Sequence, residues 1–456
     1  MPARPAGDAA DRGNPGAGGS ISLVIAGRIL RRGELEPAEI GVDEDGRIVR
    51  VAKSLVGDRR ADFGDRVILP AATDLHVHFR EPGGPDSSED LATGTLQAAF
   101  GGVGTVGDMP NNEPPVDSVE GVEEKVRRAH RRIAVDLVVY ASLRDAASAE
   151  PLSRVAGAFK LYLAPTTGVD LPMAAPEIRA ALEAVAGTGL PLTVHAEDPR
   201  EFRSLPIIAD TAHWDGHRPV AAELAGVAAL LPAPPSLRLH IAHVTHGALA
   251  DRLRLEGHSF EATPHHLLLS TRKTTGAFGK VNPPLRNEAE RVALWKQFAD
   301  GRIPCLASDH APHSLGAKEK PFPMAPSGMP GVETMLPLLL ARARSGEIPL
   351  PVLVAAACDR PARWLGLPVG RIAPGHRANL LVIDFRARHR LSAERLHAPC
   401  HWSAFEGWEA IFPQKHLRDG QPLVHDGEFV GRRDGAVVRP EYAPGPETGR
   451  KVGHFR

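Results

Sequence analysis

Residues 72–83 read ATDLHVHFREPG, an apolar run that a Pro-Gly pair ends. Side chains alternate between the two faces of a strand, so His76, His78 and Arg80 share one face while the apolar residues between them point the other way. Two imidazoles at positions i and i+2 can chelate a single transition metal. A histidine pair of the surface or core is the alternative, but the apolar strand, the arginine and the Pro-Gly pair favour a metal site.

Seven further apolar runs follow in residues 71–366, separated by stretches with helical periodicity such as 88–101 and 117–131. The eight runs in order are ATDLHVHF, VGTVGD, IAVDLVVYA, AFKLYL, LPLTVH, LRLHIAHV, SFEAT and IPCLAS. Alternating strands and helices are typical of a parallel sheet in an α/β protein. Eight such units in roughly 300 residues predict a (β/α)8 TIM-type barrel rather than an open doubly wound sheet.

Short strands also flank this region, at residues 20–70 and 367–435. We expect the two flanking segments to pair with each other and to form a small β-sandwich domain beside the barrel. Residues 1–19 lack apolar periodicity and are predicted to be a disordered extension, and residues 436–456 are predicted to be a C-terminal tail.

The composition excludes several functional classes. Among 456 residues, 54 Lys and Arg balance 55 Asp and Glu, so no basic excess indicates a nucleic-acid or membrane-surface partner. Cys305, Cys358 and Cys400 are odd in number and far apart, which fits neither a disulfide framework nor a Cys-x-x-Cys zinc site. No signal peptide and no apolar run of about 18 residues is present. We therefore expect a cytoplasmic protein.

Histidines follow two other predicted strands. His195 ends LPLTVH, and both His240 and His243 lie in LRLHIAHV. His240 and His243 are an odd number of residues apart and should face opposite sides of the sheet, so only one can enter the same pocket. We choose His243, which is nearer the end of the strand, and expect His240 to pack between barrel and helices. His265 and His266 are assigned to the pocket wall or to the layer behind it.

Asp309 follows the apolar strand IPCLAS directly. A carboxylate at the C-terminal end of a barrel strand can bind a metal and also transfer a proton. The alternative is a helix N-cap, but the sequence His-Ala-Pro-His that follows makes a plain cap an incomplete explanation.

Lys160 lies among large apolar neighbours in AFKLYL, which would carry its amine into the barrel. An isolated buried ammonium is costly, so this charge needs neutralising. Carboxylation of the amine by carbon dioxide would convert it into an anionic ligand for two metals. A salt-bridged lysine, or one that extends to solvent, is an equally good explanation of the local sequence.

Together these motifs resemble the dihydroorotases of the amidohydrolase superfamily, over about residues 45–435. The motifs that carry the resemblance are DLHVHFREPGG, GGVGTVGDMPNNEPPVDS, FKLYL, VHAED, HIAHVTH, TPHHLLLS, VNPPLR, SDHAPH and GMPGVETMLPLLL. The lysine in FKLYL resembles the branch of the family in which this lysine is carboxylated.

The resemblance implies two zinc ions and a set of ligands. The metal ligands would be His76, His78, Lys160, His195, His243 and Asp309. In the family the first histidine pair holds one zinc, the second pair holds the other, and the carboxylated lysine bridges them. Asp309 would bind the first zinc and act as general base and acid. The implied substrate contacts are Arg80, Asn111, Asn282, His313, Ser327 and Gly328.

The activity that the resemblance implies is the reversible hydrolysis of (S)-dihydroorotate to N-carbamoyl-L-aspartate by a zinc-bridging hydroxide, the third step of UMP synthesis. One departure stands in the loop after FKLYL, where the related sequences carry a Thr-Phe pair. Thr166 matches the threonine, but Thr167 replaces the phenylalanine. Closure of this loop over substrate should therefore differ.

Two alternatives remain at this point. Allantoinases and hydantoinases share the barrel and the metals, but their substrates have no free carboxylate for Arg80 to bind. A non-catalytic partner of aspartate transcarbamoylase is the second alternative, although such subunits typically lose metal ligands that this sequence retains. A homodimer and an association with aspartate transcarbamoylase are the macromolecular partners that the resemblance allows.

Overall fold

The structure is a computed structural model that describes residues 20–441 apart from 84–87, 168–172, 174 and 275. The expected N-terminal extension, residues 1–19, lies outside the described residues. Residues 442–456 of the expected C-terminal tail also lie outside them.

The described chain opens with four strands: β1 (Leu23–Arg31), β2 (Glu34–Val42), β3 (Ile48–Ala52) and β4 (Arg59–Pro70). β1 and β2 form an antiparallel hairpin in which Arg31 pairs with Glu34, and β3 adds to the far side of β2. β4 lies on the other side of β1 and runs parallel to it.

The eight predicted barrel strands are all present, in the predicted order. They are β5 (Ala72–Val77), β6 (Val103–Asp108), β7 (Asp136–Ser142), β8 (Ala158–Tyr162), β9 (Leu192–His195), β10 (Leu239–Ile241), β11 (Ser259–Ala262) and β12 (Cys305–Leu306). Each pairs in parallel with the next along the chain. A parallel bridge between Val77 and His310 joins the last strand region to the first, and the His78 amide donates to the His310 carbonyl at 2.7 Å. The TIM-type barrel is confirmed.

Helices alternate with these strands. They are α1 (Leu91–Phe100), α2 (Val119–Ala129), α3 (Ala149–Ser153), α4 (Ala175–Thr188), α5 (Thr211–His217), α6 (Val220–Leu230), α7 (Gly247–Leu255), α8 (Pro264–Leu268), α9 (Glu288–Ala299), α10 (Leu315–Lys318), α11 (Met335–Arg344), α12 (Leu350–Val354) and α13 (Arg360–Leu365). The predicted helices 88–101 and 117–131 correspond to α1 and α2. None of the helices within the described ranges is both long enough and apolar enough to cross a bilayer.

Strands return after the barrel: β13 (Leu380–Ile383), β14 (His389–Arg390), β15 (Glu409–Ala410), β16 (Lys415–Arg418), β17 (Gln421–His425) and β18 (Glu428–Phe429). β13 pairs with β4 in antiparallel fashion, so both ends of the chain join in one continuous sheet of order β18-β17-β16-β13-β4-β1-β2-β3. The predicted flanking β domain made from both segments is confirmed. Its strands are hydrogen-bonded as this single sheet, apart from β14 and β15, which pair with each other.

The barrel strands are buried on both faces, because helices cover the outside and side chains fill the inside. β5, β6 and β8 are buried at every residue. This burial carries polar residues inward as well as apolar ones, including Asp74, His76 and Lys160. A buried polar side chain needs a partner, so the contacts of these residues show what the barrel mouth is built to bind.

Candidate active site

A cavity opens where the barrel strands end, and it collects nearly every residue that the sequence singled out. Its walls are formed by His76, His78, Arg80, Asn111, Lys160, Tyr162, Thr166, Thr167, His195, His243, Asn282, Asp309, Ala311, Ser327 and Gly328. Among the predicted site residues only His313 stands behind this wall, where its Nε2 lies 2.9 Å from the Ser327 carbonyl oxygen.

Two histidines of β5 and its extension meet Asp309 on one side of the cavity. The Asp309 Oδ1 lies 3.1 Å from His78 Nε2 and 3.4 Å from His76 Nε2. One ligand atom from each of the three residues lies within 4.8 Å of the others. Two imidazole nitrogens and a carboxylate oxygen at this separation fit a transition metal such as zinc.

The outer nitrogens of these two histidines are fixed by other side chains. Glu261 places Oε1 2.6 Å from His76 Nδ1, and Asn111 places Oδ1 2.5 Å from His78 Nδ1. A histidine whose Nδ1 proton is held in this way presents an unprotonated Nε2. Both rings therefore offer a lone pair to the cavity.

The second histidine pair comes from two neighbouring strands. His195 Nδ1 and His243 Nε2 lie 3.0 Å apart. Glu197 fixes the other nitrogen of His195 at 2.8 Å, and Arg218 pairs with Glu197 in turn. Nδ1 of His243 is buried and has no hydrogen-bond partner in the described part of the chain.

Burial lowers the pKa of all four histidines. The pKa of His76 falls to about 4, first through burial and then through the nearby Lys160. The pKa values of His78 and His243 fall well below the ordinary value, chiefly through burial, and that of His195 is lowered for the same reason. All four are neutral near pH 7, which is the form that binds metals.

Lys160 is fully buried, and its Nζ lies 3.2 Å from His76 Nε2. Burial lowers the pKa of its amine to about 8. No carboxylate of the described residues lies within ion-pair distance of it. The lysine is thus neither salt-bridged within that part of the chain nor extended to solvent, the two alternatives that the sequence left open.

Three site residues hold an unusual backbone. Arg80, His243 and Asp309 have φ angles of 57°, 37° and 46°, the left-handed region that residues with a Cβ seldom adopt. Each follows the end of a barrel strand, where the chain must turn a side chain into the mouth. Such strain persists where the surrounding structure enforces it, and it is concentrated at functional sites.

Arg80 also lines the cavity and brings a guanidinium to it. Its Nη1 makes one long contact, 3.5 Å to the Asn111 carbonyl oxygen, and its buried Nε has no partner among the described residues. No ion pair joins it to a described carboxylate. The guanidinium therefore has donors available to a ligand.

The other predicted substrate residues are already engaged within the protein. Asn111 donates its amide to the Thr167 carbonyl oxygen at 2.8 Å, which ties it to the loop after β8. Asn282 accepts from Trp214 Nε1 at 3.1 Å. Gly328 has φ 136°, and a Cβ there would lie 2.5 Å from the Ala311 carbonyl oxygen, so only glycine fits this wall.

Two of the histidines that we placed outside the metal set, His240 and His266, use both ring nitrogens in contacts within the protein. His240 contacts Ser259 and Glu261, and its ring centroid lies 4.7 Å from that of Trp364. His266 uses both ring nitrogens, on Thr263 and on the Pro283 carbonyl oxygen, so it stands behind the cavity.

Sequence reasoning missed the carboxylates behind the histidines. Glu261 in SFEAT was an available signal, because an acidic residue inside a short apolar strand must be buried with a partner. Asp74 is another: its Oδ1 accepts from the amides of His76 and Ser308, at 3.1 and 3.0 Å. Tyr162 also lines the cavity and was not singled out.

This chain is similar to known proteins over most of its length. The model of the family described as "Amidohydrolase family" matches residues 67–412. A relative from Halobacterium salinarum named dihydroorotase is 37% identical over 426 residues, which cover 91% of this chain and 99% of the relative. A relative of the same name from Methanosarcina mazei is 34% identical, with 87% of this chain and 92% of the relative covered.

Solved structures agree on the fold. L-hydantoinase (dihydropyrimidinase) from Arthrobacter aurescens superposes with a TM-score of 0.84 at 24% identity, covering 92% of this chain and all of that one. A D-hydantoinase gives a TM-score of 0.82 at 24% identity, over 93% of this chain. The extent of the family match and the identity to these relatives establish that this chain belongs to the amidohydrolase family, among its dihydroorotase members.

Proposed function

We propose that this protein is a dihydroorotase, which catalyses the reversible hydrolysis of (S)-dihydroorotate to N-carbamoyl-L-aspartate. The observation that carries the proposal is the guanidinium of Arg80, which forms no ion pair with a described residue and lies in the same cavity as the donor cluster of His76, His78 and Asp309. The cluster suits a metal that acts on a ring amide, and the arginine suits the carboxylate that dihydroorotate carries. Hydantoin and allantoin lack that carboxylate.

We further propose that two zinc ions occupy the site. His76, His78 and Asp309 would hold the first, and His195 and His243 the second. When bound, zinc supplies Lewis-acid polarisation of a carbonyl and activation of water. The close approach of His195 Nδ1 and His243 Nε2, at 3.0 Å, supports this assignment.

Lys160 would bridge the two ions as a carbamate. The ammonium first loses one proton, and the neutral amine then forms a bond to the carbon of carbon dioxide and releases a second proton, so a cation becomes an anion with two oxygen donors. The absence of any described carboxylate at ion-pair distance from Lys160 supports this change, since a buried ammonium would otherwise stay uncompensated.

The side chains divide the remaining work. Asp309 takes the proton of the attacking water on a carboxylate oxygen and delivers it to the ring nitrogen that leaves. In ring closure it moves the same proton in the opposite direction. Arg80 holds the substrate carboxylate by paired hydrogen bonds, and the Gly328 backbone and Asn282 complete the wall around the ring.

Thr166 and Thr167 stand at the mouth of the cavity. Thr167 is joined to Asn111 by its carbonyl oxygen and reaches the Ser327 carbonyl oxygen with its hydroxyl at 3.4 Å. We propose that this loop restricts water without the aromatic side chain of the related sequences. The homodimer, the association with aspartate transcarbamoylase and the cytoplasmic location stay predictions from the sequence.

A steady-state assay in both directions tests the proposed function. The zinc-loaded protein should open dihydroorotate and close N-carbamoyl-L-aspartate, with little turnover of allantoin or hydantoin. Turnover of allantoin without any of dihydroorotate would contradict the proposal. A protein that takes up no metal from zinc and bicarbonate and stays inactive would instead be a non-catalytic partner subunit.

A further inference from the structure

Lys280 organises the loop of residues 322–328, whose last two residues, Ser327 and Gly328, form one wall of the cavity. Its Nζ donates to three backbone carbonyl oxygens of this loop, those of Phe322, Pro323 and Ala325, at 2.9, 3.1 and 2.8 Å. Its own carbonyl oxygen accepts from the Gly328 amide at 2.9 Å. One lysine therefore holds both the middle and the end of the segment.

Lys318, the last residue of α10, holds the same segment from the other side. It is fully buried, and its Nζ donates to the carbonyl oxygens of Pro326 and Gly328 at 3.0 and 2.9 Å. A longer contact of 3.4 Å reaches the Lys280 carbonyl oxygen. The two ammonium groups thus bind carbonyl oxygens of this loop and fix the wall that Gly328 presents to the cavity.

A tryptophan accompanies Lys280. The Lys280 ammonium lies 4.8 Å from the centroid of the Trp214 ring, within the range of a cation–π contact. The indole nitrogen of Trp214 donates to the Val281 carbonyl oxygen and to Asn282 Oδ1, at 3.0 and 3.1 Å. The lysine and the tryptophan therefore position Asn282, one of the predicted substrate contacts.

A second tryptophan accompanies Lys318 in the same way. The Lys318 ammonium lies 5.5 Å from the Trp402 ring centroid, and Trp402 Nε1 donates to the His313 carbonyl oxygen at 2.7 Å. His313 in turn contacts the Ser327 carbonyl oxygen. Each lysine thus supports a different predicted contact of the substrate.

Neither ammonium forms an ion pair with a carboxylate in the described ranges. Charge-assisted bonds to carbonyl oxygens satisfy their donors but leave two positive charges uncompensated. The pKa of Lys318 is lowered to about 7 by burial and by Lys280, and that of His313 to about 3 by burial, Arg80 and Lys318. Within the described ranges, the carbonyl oxygens of this loop are therefore the hydrogen-bond partners that stabilise both ammonium groups.

We propose that Lys280 and Lys318 are positioning residues that hold the Ser327–Gly328 wall in register for the bound substrate, together with Asn282 and His313. The inference rests on the proposed function, because that function assigns this wall to the substrate.

The test compares Lys318→Met with Lys320→Met, a matched change at an exposed lysine two residues away. In the zinc-loaded enzyme, Lys318→Met should raise the KM for dihydroorotate about tenfold while kcat changes less than about threefold, because an interaction with the bound substrate is lost rather than one of the transition state. Lys320→Met should behave like the unchanged enzyme. Lys318→Arg, which keeps the charge, should recover part of the lost affinity.

Zinc content separates a role in the substrate wall from general damage to the site. Lys318→Met should weaken the binding of orotate, a planar ring that carries the carboxylate, by about tenfold, and it should hold as much zinc as the unchanged protein. Unchanged binding of orotate, or a loss of zinc together with orotate binding, would overturn the inference. If Lys318→Met does not fold, Lys280→Met is subjected to the same comparison. Failure of the unchanged enzyme to process dihydroorotate would refute the proposed function instead.

Discussion

The two histidine pairs of the cavity are alike in their direct support, but they differ in the residues that contact this support. A buried glutamate supports each pair: Glu261 contacts His76, and Glu197 contacts His195. Behind Glu197 stands Arg218, which completes an ion pair. Glu261 instead contacts a second histidine, His240, at 3.0 Å, and pairs with no arginine of the described residues.

This difference concerns charge. Burial would raise the pKa of both glutamates, but Arg218 and His195 keep that of Glu197 well below its ordinary value, and His76 and His240 do the same for Glu261. The negative charge of Glu197 is balanced by a permanent cation. Glu261 forms no ion pair with a lysine or arginine of the described residues, so a metal on the His76 side gains the larger electrostatic stabilisation.

The largest effect on turnover should come from a change at Asp309, which contacts the histidine pair of His76 and His78. Asp309→Asn removes the proton acceptor and one donor oxygen, so kcat should fall by about 10²- to 10⁴-fold. Steady-state assays in both directions measure it, with Asp65→Asn, at an exposed position, as the control. A loss below tenfold would place proton transfer elsewhere.

The next effect concerns the free energy of unfolding, which should distinguish Glu197 from Glu261. Glu197→Gln leaves the buried Arg218 without its partner and should lower the free energy of unfolding of metal-free protein by about 3–5 kcal/mol. Glu261→Gln strands no permanent cation and should cost clearly less. Urea unfolding after treatment with a chelator measures both variants. Equal losses would show that the two carboxylates do not differ as described.

The same two variants should rank in the reverse order when zinc binding is measured. Glu261→Gln weakens the support of His76 and removes a charge near the metal, so zinc affinity should fall about 10- to 100-fold. Competition against a chromophoric chelator gives the affinity, and Glu256→Gln, at an exposed position, serves as the control. An unchanged affinity would remove Glu261 from the metal site.

The smallest effect is expected at His240. His240→Gln keeps a donor for Glu261 and does not touch the cavity, so kcat/KM should change by about tenfold or less. His243→Gln, three residues along, should instead lose zinc and most activity. Similar outcomes for the two variants would contradict the assignment of opposite faces.

Much of this could be predicted from local sequence. The alternation in ATDLHVHF places His76 and His78 on one face without knowledge of any other segment. Apolar runs between helical stretches likewise predicted each barrel strand. The pairing of Glu261 with His76 could not be predicted, because the two residues lie 185 positions apart and nothing local in SFEAT names its partner.

The wall built on Lys280 and Lys318 was missed for a related reason. Lysines in a polar stretch such as AKEK are usually exposed, and only the folded loop shows one of them enclosed by carbonyl oxygens. The strand order of the flanking sheet could not be predicted either. Alternation of apolar and polar residues indicates that a strand exists, but it does not show which other strand pairs with it.

The position of β4 between β1 and β13 has a consequence for synthesis of the chain. During translation β4 can pair with β1 at once, but its other edge must wait until more than three hundred further residues have left the ribosome, since Pro70 lies opposite Leu380. An unpaired edge is a template for association with other chains. If translation stalls within the barrel, the unpaired edge of β4 therefore stays exposed and can pair with other chains. This edge lies near the N-terminal end of the nascent chain, far from the residues being added.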